Sequence, residues 1–251
     1  MMIMCHMIQK TITYSCHSCG SINIVKNGTN KCGNQQYHCK ACGVYRVLEP
    51  QEKNVPAIKK QVLHAYRERC SLRGIERLFG VCRQTVMSWL LDEADQQPPL
   101  EQTLLPAQAD DVLEIDEAWS FVGKRQEKRW LWTALCRRTR QIVAFVIGDH
   151  SEATCLHLWQ RIPPAYRHCQ SFSDFWKAYQ AIFPSDTHQA VGKESGQTAH
   201  MERWYNTLRQ WLARYTRKTL AFSKTDFHHA LVTRWFITHH NMRMLRLSLT
   251  C

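Results

Sequence analysis

The spacing of apolar positions changes character along the chain and divides it into four stretches. Residues 14–48 are polar and rich in Cys, Gly and Asn, and two short runs, 22–25 and 35–38, read as strands joined by the turn-forming Lys26-Asn27-Gly28. From 54 to 94 the period becomes helical. Val55, Ile58, Val62 and Tyr66 share a face behind Pro56, which suits a first helical turn. Ser71 can cap a second helix carrying Leu72, Ile75 and Phe79, Gly80 turns the chain, and a third helix over 83–93 points Val86, Trp89 and Leu90 inward. Residues 96–110 hold three prolines and read as a linker. Beyond them, 112–119, 129–137 and 141–147 predict a strand meander, followed by a helix over 152–162, a short strand over 169–173 and a helix start at 175–179. Trp204, Leu208, Trp211, Leu212 and Tyr215 form the buried stripe of a last helix. No apolar run approaches the roughly 18 residues of a membrane span.

Cysteines give the first stretch its chemistry. Cys16 and Cys19 form one C-x-x-C, Cys39 and Cys42 another, with 19 residues between the pairs, a spacing typical of zinc sites. Gly20 and Gly43 follow the pairs and let the backbone fold over the thiolates. A closed four-thiolate structural zinc is expected, supplying folding energy to a module too small for its own core. Coincidental pairs or a redox pair are the competing readings, and Cys32, His17 and His38 are nearby substitutes as ligands. Cys5, Cys70, Cys82, Cys136, Cys155, Cys169 and Cys251 read as small core or surface residues. The first ten residues, MMIMCHMIQK, lack the basic leader and cleavage site of a signal peptide. A cytoplasmic protein with reduced thiols is therefore expected.

Composition is globular, with 44% hydrophobic and 22% charged residues among 251. The net charge of +12 points to a polyanion, most simply nucleic acid. Residues 1–202 hold 24 basic and 20 acidic residues, whereas 203–251 hold 9 and 1, so two thirds of the excess lies after Glu202. The three-helix stretch fits a helix-turn-helix that would present Arg83, Gln84, Met87 and Ser88 to a major groove; an ordinary helical packing unit is the alternative. In the C-terminal tail Arg214, Arg217 and Lys218 are candidate phosphate contacts.

Strand alternation places Glu114, Asp116 and Ala118 on one face and Leu113, Ile115, Glu117 and Trp119 on the other. Asp174 ends a strand, where sites on α/β sheets form. Glu202, Asn206 and Arg209 share a helical face, which could equally be a solvated polar surface. Three carboxylates suit two divalent ions, magnesium or manganese, with Asp116 bridging and Asp174 and Glu202 each completing one. Asp149 is an acidic decoy that, with His150, reads as closing a turn.

The strings Ile115-Asp116-Glu117-x-Trp119-x-Phe121-Val122-Gly123, Arg129-Trp130-Leu131, Ser173-Asp174-x-Trp176-x-x-Tyr179, Glu202-Arg203-x-x-Asn206 and Leu212-Ala213-Arg214-x-x-Arg217-Lys218 resemble the transposases of the bacterial insertion-sequence-one family, from about residue 14 to 241. The resemblance implies an α+β multidomain chain: a zinc ribbon (1–50), a helix-turn-helix domain (51–95), a linker (96–110) and a ribonuclease-H-like catalytic domain (111–251). It implies recognition of terminal inverted repeats, and metal-dependent nicking and strand transfer into target DNA. At least a homodimer would form at synapsis. Asp116, Asp174 and Glu202 carry over as metal ligands and Asn206 and Arg209 as DNA-positioning residues, while His200 stands where the pattern expects Arg. A DNA-binding regulator with a decayed catalytic fold and a structure-selective nuclease are the alternatives.

Overall fold

The computed structural model describes residues 12–30, 33–48, 56–216 and 218–249. The expectations for Cys5, Cys32, Val55, Arg217 and Cys251 lie outside the described residues. The chain divides into two compact units, residues 1–58 and 59–251.

The first unit is a small antiparallel sheet of β1 (Ile24–Thr29), β2 (Gln35–Cys39) and β3 (Tyr45–Arg46). The Lys26-Asn27-Gly28 turn is corrected here. β1 runs through those residues with its register shifting between Lys26 and Thr29, and Gly28 takes φ +67° inside the irregularity. A glycine in the left-handed region supports a bulge as well as a turn. The reversal lies further on, where the Asn30 side chain accepts from the Asn34 amide at 2.9 Å.

Helix α1 (Pro56–Arg67) begins at the end of the first unit and continues into the second, and α1, α2 (Leu72–Phe79) and α3 (Arg83–Asp95) follow the expected periods. Ser71 Oγ caps α2 by accepting from the Gly74 amide, and Gly80 turns the chain at φ +61°. Val62, Tyr66, Ile75, Val86, Trp89 and Leu90 are buried. Residues 96–110 are not a free tether. Thr103 is fully buried, and Asn241 Nδ2 donates to its hydroxyl at 3.1 Å. Gln141 Nε2 donates to its carbonyl at 2.7 Å.

A five-stranded mixed sheet follows, built from β4 (Val112–Phe121), β5 (Lys128–Cys136), β6 (Ile142–Gly148), β7 (Gln170–Ser173) and β8 (His188–Ala190), in the order β6-β5-β4-β7-β8. β4, β5 and β6 form the antiparallel meander; β7 and β8 add in parallel. The odd-numbered side chains of β4, Leu113 and Ile115, join Cys155 and Leu158 of α4 (Glu152–Arg161) and Tyr179 of α5 (Lys177–Ile182) in one apolar core. The opposite face meets α6 (Ala199–Trp211) and α7 (Asp226–Ser248): Thr133 contacts Met201 and Tyr205, and Ser120 contacts His229. Neither β8 nor the 23-residue α7 is expected from the pattern. α7 buries Val232, Thr233, Trp235, Phe236, Ile237 and Thr238 nearly in succession, which erases the one-sided stripe by which a helix is recognised. No helix among the described residues is long and apolar enough to cross a membrane.

Candidate active site

Asp116 lies in the middle of β4, on the face that α6 covers. The parallel β4–β7 ladder pairs Glu114 with Phe172. Directly paired residues of parallel strands point to the same side, which puts Phe172 on the face of Glu114 and Asp116. Asp174 follows two residues after Phe172, just past the last residue of β7, and its charge acts on Asp116. Asp174 Oδ1 accepts from the Trp176 amide at 3.0 Å, which turns the chain towards α5. Glu202 stands exposed in the first turn of α6. Tyr205, one turn later, donates its hydroxyl to the Asp116 carbonyl at 2.8 Å and anchors α6 over the strand.

The electrostatics tie the three together. Burial pushes the Asp116 carboxyl up to about 7; the charges of Glu117, Asp174 and Glu202 push the same way, against a bond from the Glu117 amide. Hard carboxylate oxygens whose mutual repulsion raises a buried member's pKa suit a divalent cation of the magnesium type. They are more loosely gathered than the cysteine sulfurs. Among the described residues no other set of three or more His, Cys, Asp or Glu ligand atoms is as compact as that of the first unit.

There, the Cys16, Cys19, Cys39 and Cys42 sulfurs all lie within 4.8 Å of one another. Gly20 and Gly43, at φ +72° and +74°, donate their amides to the carbonyls of Cys16 and Cys39 and close matching loops. Bonds from the Ser18 and Cys19 amides pull the Cys16 thiol down to about 6. Cys19 accepts from the Ser21 amide, but the adjacent Cys42 and Cys39 sulfurs outweigh it and push its thiol up to about 12. Four sulfurs competing for negative charge fit a tetrahedral ion.

A chain of this construction has known relatives. The family model for IS1 transposase matches residues 111–243, more than half of the sequence and all three carboxylates. The chain belongs to the IS1 transposase family. Among relatives, it is 35% identical over 129 residues to insertion element iso-IS1n protein InsB of Shigella dysenteriae, spanning 51% of this chain and 95% of that protein. It is 33% identical over 128 residues to insertion element IS1 protein InsB of Shigella flexneri, spanning 51% and 95%. It is 32% identical over 128 residues to insertion element IS1 4 protein InsB of Escherichia coli strain K12, spanning 51% and 74%. A chain of a simian T-cell lymphotropic virus intasome structure aligns with 66% of this chain at 10% identity, and its TM-score of 0.27 is too low to bear on the fold.

Within this IS1-family chain the other expected contacts are unevenly placed. Arg83, Gln84 and Ser88 are exposed and Met87 half-buried on α3, with Arg83 Nε 3.2 Å from Glu76. Asn206 is exposed, and its Oδ1 lies 3.4 Å from Arg209 Nη1. Lys218 is exposed. Arg214 is corrected: it is buried, donating to Ser223 Oγ at 2.7 Å, to the His228 carbonyl at 3.1 Å and to the Tyr66 hydroxyl. Helix α6 ends at Trp211, and the turn that follows directs Arg214 inward instead of along the outer face. Asp149 accepts from Thr154 Oγ1 at 2.6 Å at the start of α4, as its turn role requires.

Three residues near the carboxylates escape the pattern. Glu117, on the opposite face from Asp116, accepts from the Tyr179 hydroxyl. His150 Nε2 lies 3.0 Å from Glu117 Oε1, and its ring stacks on Trp176 at 4.2 Å. Fully buried Glu114 takes His200 as a partner, with Nδ1 2.6 Å from Oε1, so the residue standing in place of the expected Arg serves a carboxylate. The available signal was strand alternation, which put a charge on a covered face at 114.

Proposed function

We propose that the chain is a DNA transposase that binds the terminal inverted repeats of an insertion sequence and carries out metal-dependent strand cleavage and strand transfer. Membership of the IS1 transposase family supports the coarse reading. The charges of Asp174 and Glu202 acting on the buried Asp116 carboxyl, which is pushed up to about 7, support the finer one. The strand order, an antiparallel meander extended by two parallel strands, fits a ribonuclease-H-like domain.

Asp116, Asp174 and Glu202 would hold magnesium or manganese, which supplies the positive charge that activates the attacking oxygen and stabilises the leaving one. The chain's own part is to hold those oxygens in place. Tyr205 fixes α6 against β4. Arg209 and Asn206, on the same face of α6 as Glu202, are placed to meet a phosphate backbone, and Lys218 would extend that contact. Arg83, Gln84, Met87 and Ser88 would read base edges from α3. Zinc on the four cysteines would stabilise the first unit. Synapsis of two ends calls for at least two copies of the chain, and the site of action would be the bacterial cytoplasm.

The test is incubation of the full-length protein with a duplex carrying the inverted repeats that flank its gene. Nicks with 3′-hydroxyl ends in magnesium or manganese, and joining of those ends to a second duplex, are expected. A footprint without nicking would establish the regulator instead, and equal cutting of branched DNA lacking the repeats the nuclease.

A further inference from the structure

We infer that Glu114 and Arg137 are positioning residues that set the three candidate carboxylates relative to one another; the inference rests on the proposed strand cleavage. Glu114 is completely buried. Its Oε2 accepts from the main-chain amides of His200 and Met201, each at 2.9 Å. Its Oε1 accepts from Arg137 Nε at 2.8 Å and lies 2.6 Å from His200 Nδ1. Those two amides belong to the first turn of α6, where a helix has no internal acceptors. Thr198, at the capping position, provides no side-chain bond. A carboxylate from the sheet therefore caps the helix from outside, where negative charge also complements the helix dipole.

Arg137 completes the clamp. Its Nη2 donates to the Gln197 carbonyl at 2.7 Å and to Gln197 Oε1 at 2.9 Å, just ahead of α6. Its guanidinium lies over the Phe172 ring at 5.5 Å, on β7. One cluster thus joins β4, β7 and α6 through Glu114, Phe172 and His200. Each of those residues stands two positions before a candidate ligand: Asp116, Asp174 and Glu202. Along β4 that interval returns to the same face, and Asp174 and Glu202 each follow a clamped residue by two positions of chain, so a shift of the clamp shifts all three. A buried ion pair is in itself a weak source of stability compared with apolar packing, and here it fixes geometry, where a displacement of about 1 Å can cost about 10²-fold in rate.

The test compares the wild-type full-length protein with Glu114→Gln and Arg137→Lys; Glu114→Ala is a harsher third variant that the conclusion does not need. Amide hydrogen exchange is followed through α6 without metal or DNA. Separately, the manganese concentration giving half-maximal nicking is measured, with duplex affinity and thermal midpoint recorded for the same preparations. Both conservative variants should exchange the first turn of α6 about 10-fold faster while its last turn keeps its protection. They should need about 10-fold more manganese and turn over about 10²-fold more slowly per folded molecule, with duplex affinity unchanged; the thermal midpoint should fall in Glu114→Gln, which leaves Arg137 without its charge partner. Unchanged first-turn exchange, or activity that falls only in step with the folded fraction, would overturn the inference. A wild-type protein that does not nick would overturn the transposase reading, and the exchange comparison would still decide whether Glu114 and Arg137 hold α6.

Discussion

The negative charge of Asp174, one residue past the end of β7, helps to raise the pKa of Asp116 on β4. Asp174 follows a strand that pairs with β4 as far as Glu114 and Phe172, whereas Glu202 arrives on a helix. Asp116→Asn, Asp174→Asn and Glu202→Gln should each lower end nicking by about 10²–10³-fold or more, while repeat binding persists. Asp116 also carries a pH dependence. Its pKa of about 7 in the folded chain exceeds its ordinary value of 3.8, so the metal-free fold loses stability as pH rises from about 4 to about 7. Asp116→Asn should therefore stabilise the metal-free protein at pH 8, by at most about 4 kcal/mol, and not at pH 4. Denaturant titrations at the two pH values check the sign.

Chelation should act on one unit. Stripping metal from Cys16, Cys19, Cys39 and Cys42 should melt the β1–β3 sheet, as Cys39→Ser should, because that sheet has little core of its own. The unit of residues 59–251 should keep its transition in calorimetry. Simultaneous loss of both transitions would refute independent folding of the two units.

Arg214 and Lys218 are both basic and differ in what they touch. Arg214→Ala leaves the Ser223 and Tyr66 hydroxyls and the His228 carbonyl without their donor, a cost of about 2–4 kcal/mol in unfolding. It should leave the salt dependence of DNA binding unaltered. Lys218→Ala should leave stability alone and flatten the slope of log affinity against log salt by about 1. Thermal melts and binding titrations at several salt concentrations distinguish them.

His229 makes the fold acid-sensitive. Burial holds its pKa down at about 4 against an ordinary 6.5, Arg214 and Arg129 push the same way and Asp226 opposes them, and its ring sits between Ser120 and Ser223. The unfolded chain takes up the proton first, so stability is full above pH 6.5 and is lost as pH falls towards 4. Between pH 7.5 and 4.5 the loss should be about 2–3 kcal/mol from this residue. His229→Gln should flatten the dependence by that amount. His188 and His239, also held near 4 by burial, act in the same direction.

Local rules made much of this legible. Alternation along 112–119 put Asp116 and Glu117 on opposite faces, and the Ser71 cap and Gly80 turn bounded α2. Where long-range contacts decide, the pattern fell silent. The proline-rich 96–110 stretch looks like a tether until Gln141 and Asn241, far along the chain, bond to Thr103. Arg214 looks exposed until the end of α6 turns it inward. Alternation sets Glu114 on the face of Asp116, but its partner His200, 86 residues away, is not legible from the pattern.

The packing of α3 has a further consequence. Gln97, just after that helix, donates to the Trp235 carbonyl at 3.2 Å, and Tyr66 of α1 lies against Trp235 of α7 at 6.1 Å. On the proposed reading, α3 reads bases from the same body that carries the carboxylates. The interval in base pairs between the sequence recognised and the phosphodiester cut then becomes a built-in ruler, set by side-chain packing along α7 rather than by the length of a linker.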